Sequence, residues 1–124
     1  MADRVAALRQ ALAPLVDADR LGAAVLTRDG EPVASLFRRP VSEESFGAMA
    51  AAFLGAAEGA LQEWSDERPQ QAMVEAQGLR MLVSAVDDDY LLAIVAERSA
   101  RLDADAAAAT RRLRAILSGQ VVQR

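Results

Sequence analysis

Three clusters of charged side chains in the sequence are candidates for chemistry. Asp87-Asp88-Asp89 offers carboxylate oxygens, the ligands that hard divalent cations prefer. Arg38-Arg39 offers guanidiniums of the kind that can stabilise charge on a transferring phosphoryl group. Arg111, Arg112 and Arg114 form the third cluster. Each also has a plainer account. Contiguous Asp residues point in different directions and lack the spacing of a calcium loop, so the acidic triplet reads as a solvated turn, and no metal site is expected. The Arg pair reads as a solvated corner. The third cluster lies toward the C-terminal half of a helix, where the backbone dipole favours cations.

Missing residue types close off most other chemistry. The chain has no Cys, His or Lys among its 124 residues, so all 14 basic groups are Arg. Without Cys there is no disulfide and no thiol nucleophile. Without His there is no Ser-His-Asp triad and no imidazole zinc site. Without Lys there is no Schiff base and no phosphate-binding loop ending in Gly-Lys-Ser/Thr. The expectation is a protein without catalytic residues or cofactor. A formal net charge of −4 argues against a nucleic-acid partner. No apolar run reaches membrane-spanning length, and the N-terminus lacks a signal-peptide core, so membrane insertion is not expected and a cytoplasmic location is. The length suits one domain, 1–124, with 119–124 as a frayed tail.

The elements that would position these residues can be read from periodicity. Val5, Leu8, Leu12, Leu15 and Val16 form a helical stripe, and Pro14 predicts a kink or break within it. Leu21 to Thr27 and Pro32 to Phe37 read as strands joined by Arg28-Asp29-Gly30-Glu31, where Asp-Gly suits a tight turn. Ser42 can cap a long helix running from Glu43 to Trp64. Its broad apolar face is Phe46, Met49, Ala50, Phe53, Leu54, Ala57, Leu61 and Trp64. Beside it, Gly47, Ala51, Gly55 and Gly59 recur every fourth residue, with Ala48 and Ala52 alongside, a groove that another helix could approach closely.

Three strands follow, at Gln71 to Ala76, Leu79 to Val86 and Tyr90 to Ala96. The last two are apolar on both faces, as interior strands are, and the first is short and polar, as an edge is. A final helix is expected to about Leu117, capped by Asp103 or Asp105 and ended by Gly119. The order α-β-β-α-β-β-β-α predicts an α/β (α+β) sandwich: a five-stranded antiparallel sheet with helices on both faces.

Several stretches resemble the roadblock domain, the dynein light-chain family that includes MglB-type regulators of small GTPases. Leu21 to Gly30 is similar to the family's opening strand and turn, and Pro32-Val33-Ala34-Ser35 to its second strand. Phe46 to Glu58 is similar to its Ala-rich long helix, and Leu79 to Ala96 to its paired final strands. Arg101-Leu102-Asp103-Ala104-Asp105 departs from the glycine with which the family often begins its last helix.

The resemblance implies a non-enzymatic protein that forms a dimer, a homodimer in the first instance, by pairing the long helix and joining edge strands. It also implies a small Ras-like GTPase as partner, with the dimer as regulator or scaffold. On this chain the dimer contact would fall on Gly47, Ala48, Ala51, Ala52, Gly55, Gly59, Met73, Val74 and Glu75. Arg38, Arg39, Glu58 and Gln62 are candidates for the partner surface. The alternative is a small sensory or ligand-binding domain of profilin-like or PAS-like architecture, which shares the layered sheet.

Overall fold

In the computed structural model, which describes residues 2–119, the Asp29-Gly30 turn forms as its residue types require. Gly30 takes φ of 94°, a left-handed conformation that glycine adopts without steric cost. The turn closes β1 (Arg20–Thr27) onto β2 (Pro32–Phe37). Ahead of this hairpin, α1 (Ala2–Leu12) gives way to a 3₁₀ turn at Ala13–Leu15 that contains Pro14, the break that proline predicts. The second strand group is β3 (Gln71–Glu75), β4 (Leu79–Ala85) and β5 (Tyr90–Glu97).

All pairings are antiparallel, and the sheet order is β2-β1-β5-β4-β3. The last strand in the chain therefore lies in the middle, and it pairs along nearly its whole length with both β1 and β4. Alternation along these strands sends side chains to two cores. Ala23, Val25, Leu82, Leu92 and Ile94 face α1 and α3 (Asp103–Leu117). Ala24, Leu26, Val83, Leu91 and Ala93 face α2 (Glu43–Leu61). Helices cover both faces of the sheet, as the doubly apolar strands require.

Two boundaries differ from the sequence reading. Helix α2 ends at Leu61, and residues 62–64 form a tight turn in which Glu63 and Trp64 donate to the carbonyls of Ala60 and Leu61. Trp64 thus lies beyond the helix and is 89% exposed. The N-cap of α3 is Leu102, a core residue with no capping side chain. Asp103 and Asp105 fall in the first helical turn instead, and Asp105 accepts a hydrogen bond from Arg20. Gly119, with φ of 82°, ends α3 as expected, and the rest of the expected tail, 120–124, lies outside the described residues.

Candidate protein-interaction surface

Helix α2 begins with a side-chain cap: Ser42 Oγ accepts from the Ser45 amide at 3.2 Å. Glu43 and Glu44 in its first turn complement the helix dipole. From Phe46 to Leu61 the helix carries one charged residue, Glu58, and its Oε2 accepts from Arg68 Nε at 2.8 Å. The sheet-facing residues are Gly47, Ala50, Ala51 and Leu54, flanked by the half-buried Phe46 and Phe53. Phe46 meets Phe37 of β2 edge to face at 5.5 Å.

The opposite side of α2 is exposed and carries no charge: Ala48, Met49, Ala52, Gly55, Ala56, Gly59 and Ala60. Met49 stands out at 70% exposure. An exposed helix face ordinarily carries charged or polar side chains. Its absence of charge here is the clearest sign of a contact surface on the molecule.

The row spaced by four does not stay on one side. Each helical residue turns about 100°, so every fourth residue advances about 40° around the axis. Over three steps the row rotates from the sheet to the outside. Gly47 is buried against the Gly30 turn and Leu26, and Ala51 is buried in the α2 core. Both are thereby removed from the expected dimer contact, because they pack on their own sheet. Gly55 and Gly59 have no neighbouring atom within 4 Å of where a side chain would begin, and Ala48 and Ala52 are exposed beside them. The larger apolar residues are also redistributed. Met49 belongs to the outer side, and Leu61 at 45% exposure is only partly covered. Met49, Ala56 and Ala60 were not singled out for contact in the sequence. The signal that finds them is the same rotation, applied to the whole helix.

Strand β3 is the other half of the surface. It forms one edge of the sheet, and Ala72 packs into the α2 core. Alternation puts Val74 on that same side, 46% exposed beside α2, and Met73 on the other. Glu75 is the charge in place to guard this edge. It is drawn instead toward Arg80 of β4 and Arg98, with N···O distances of 3.6 and 3.5 Å.

The remaining candidates are divided between structural and open positions. Arg38 Nη1 donates to the backbone carbonyls of Asp17 and Ala18, at 2.9 and 3.1 Å, and so fixes the loop before β1. Glu58 is tied to Arg68, whereas Arg39 and Gln62 are exposed. Asp87 Oδ1 accepts from the amides of Asp89 and Tyr90, which makes the acidic triplet a self-bonded turn. Among the described residues no group of three acidic side chains is arranged to hold a metal, and no helix is long and apolar enough to cross a membrane.

The sequence model of the Roadblock/LC7 domain matches residues 15–96, well over half of the chain. The chain belongs to the Roadblock/LC7 domain family. This is a family of regulators and adaptors. Among solved structures, the Roadblock/LC7 domain of Streptomyces avermitilis is similar at 19% identity and a TM-score of 0.69, with 93% of this chain and 92% of that one covered. MglB of Myxococcus xanthus is similar at 14% identity and a TM-score of 0.77, covering 97% and 91%. An MglB described in a tetrameric arrangement is similar at 17% identity and a TM-score of 0.78, covering 95% and 90%. At these identities the likeness is one of fold. No curated protein sequence matches the chain. In this Roadblock/LC7 domain, then, the uncharged helix face and the bare strand edge lie side by side on the scaffold that the family shares.

Proposed function

We propose that this Roadblock/LC7 domain is a non-catalytic dimeric regulator or scaffold for a small Ras-like GTPase. The observation that carries the reading is the charge-free outer side of α2, continuous with the β3 edge. A second copy would cover both at once. Helix α2 would cross its mate over Ala48, Ala52, Gly55 and Gly59, where small side chains allow close approach. The two β3 strands would pair through Met73, Val74 and Glu75 and satisfy the open backbone groups of the edge. The tetrameric arrangement described for one MglB neighbour supports self-association as a property of this scaffold. Family membership supports the regulatory role, and the lack of His, Cys and Lys fits a protein that acts by contact.

For the GTPase, the available surface is what a dimer leaves open near the end of α2. Leu61, Gln62 and Trp64 lie there, and Arg39 adds an exposed cation between β2 and α2. Arg38 and Glu58 serve this surface by holding their loops in place. The absence of a cofactor and a cytoplasmic setting belong to the same proposal.

Two measurements test it. Sedimentation of the native chain should give a dimer, and Gly55→Leu should give a folded monomer. A variant that remains dimeric with native stability removes the α2 contact. Capture of partners from native lysate should then recover a small GTPase in one nucleotide state. Recovery independent of nucleotide would reduce the role to tethering, and no GTPase at all would overturn it.

A further inference from the structure

Away from the α2 face, three arginines from three separate segments line one open pocket of about 350 Å³ at the end of the sheet that carries the β1–β2 and β4–β5 turns. Arg28 comes from the first turn, Arg68 from the loop before β3 and Arg114 from α3. Each is anchored by a hydrogen bond. Arg28 donates from Nε and Nη2 to the carbonyls of Asp88 and Asp87, at 3.1 and 2.9 Å. Arg114 Nε donates to the carbonyl of Val86 at 2.8 Å, and Arg68 Nε to Glu58.

The kind of anchor matters. A backbone carbonyl orients a guanidinium without cancelling its charge. Among the described residues, neither Arg28 nor Arg114 makes an ion pair. Asp87 and Asp88 also contribute to the wall, with Asp87 Oδ1 held by two backbone amides of its own turn, so guanidiniums outnumber carboxylates in the lining by three to two. The two terminal nitrogens of Arg114 and of Arg68, and Nη1 of Arg28, make no hydrogen bond among the described residues. Two fixed guanidiniums without a carboxylate partner, Arg28 and Arg114, and a third shared with Glu58, all with donors to spare, are suited to a tetrahedral oxyanion, which can accept from several forks at once.

We propose that this pocket binds a phosphate-type polyanion, either free or carried on a small molecule. The site uses neither a glycine-rich loop nor a helix N-terminus, and it adjoins α2 only through the Arg68–Glu58 pair and β3 only through the loop that leads into it. Its readout, polyanion binding, is separate from the oligomeric state that tests the dimer.

Titration calorimetry of the full chain with inorganic pyrophosphate, at fixed ionic strength, tests the proposal. Saturable binding at one site per chain is expected. Arg114→Gln and Arg68→Gln should each weaken it roughly tenfold or more, the scale of a lost charge-assisted hydrogen bond. Arg112→Gln, an exposed neighbour on α3 that does not line the pocket, should leave it unchanged. Two variants are used because Arg114 also braces Val86, and melting curves establish that each is folded. A nucleoside diphosphate separates the sources. Affinity equal to that of pyrophosphate assigns the site to free polyanions, and markedly tighter binding assigns it to a phosphate on a larger molecule. Failure to saturate overturns the proposal. So does equal weakening by Arg112→Gln, which would mean diffuse charge attraction. Binding of a glutamate-rich peptide where pyrophosphate does not bind would replace it with an acidic protein segment.

Discussion

Gly30 and Gly47 meet backbone to backbone. A side chain on Gly30 would begin 2.8 Å from the Gly47 carbonyl oxygen and equally close to the Ala48 Cα, and Gly30 is also held at positive φ. The β1–β2 turn thus rests directly on the first turns of α2, and two glycines far apart in sequence make that contact possible. It fixes the rotation of α2 on the sheet, and so decides which residues face outward.

The glycines of α2 should therefore respond oppositely to the same substitution. Gly47→Ala should destabilise the chain by about 1–3 kcal/mol, the usual cost of overpacking. Gly55→Ala adds a methyl group to open space and should stabilise the isolated helix by up to about 1 kcal/mol. Urea denaturation of the two variants checks this. Equal effects would mean that both glycines occupy similar surroundings.

Charge placed on the outer side of α2 or beside the edge strand should act on assembly rather than folding. Ala52→Arg and Val74→Arg are each expected to raise a dimer dissociation constant by at least about tenfold. Their unfolding midpoints, measured where the native chain is monomeric, should stay within about 0.5 kcal/mol of native. Analytical ultracentrifugation across a concentration series gives both comparisons.

Acid should weaken one particular clasp. Arg20 binds Asp17 with N···O of 2.7 Å and also holds Asp105, which joins the start of β1 to α3. The hydrogen bond from the Arg20 side chain is the main cause that lowers the Asp17 pKa from 3.8 to about 2. A carboxyl with a depressed folded-state pKa contributes stability above its unfolded value. That contribution is lost as pH falls from about 4 through about 2. Asp17→Asn should flatten this part of the stability profile and leave the neutral region nearly parallel to the native curve. A native profile already flat between those values would show that the clasp is not coupled to folding.

Trp64 offers a spectroscopic test of the proposed partner surface. It is the only Trp and is 89% exposed, so its emission should be that of a solvated indole. Trp64→Ala should change stability by no more than about 0.5 kcal/mol. Addition of a GTPase partner should shift the native emission to shorter wavelength. A partner that binds with no shift would place the contact elsewhere.

What the sequence made legible was chiefly local. Asp29-Gly30 marks the first hairpin, Ser42 the start of α2, Pro14 the break after α1, and Gly119 the end of α3. Each acts through backbone conformation or a hydrogen bond within a few residues. The doubly apolar β5 also announced layers on both faces. Two features depend on distant partners and could not be read this way. One is the insertion of β5 between β1 and β4, a pairing across most of the chain. The other is the rotation of α2. The four-spaced row was visible and its drift around the helix follows from helix geometry, but which end of the row faces the sheet is set by the contact of Gly47 with Gly30. Small residues that pack inward and small residues left bare look identical in sequence.

The two margins of the sheet are unlike. At β3 the chain presents Met73 and Val74, while β2, at the far margin, begins at Pro32 and is followed directly by Arg38, Arg39 and Pro40. If one copy joins another through β3, each free end of the combined ten-stranded ribbon is a β2. Proline lacks the donor that a further strand would need, and charged side chains at the end of β2 guard its edge. On that arrangement, strand addition beyond two copies is disfavoured. Larger assemblies on this scaffold would have to be built through helices, and their size would be set by helix surfaces rather than by the sheet.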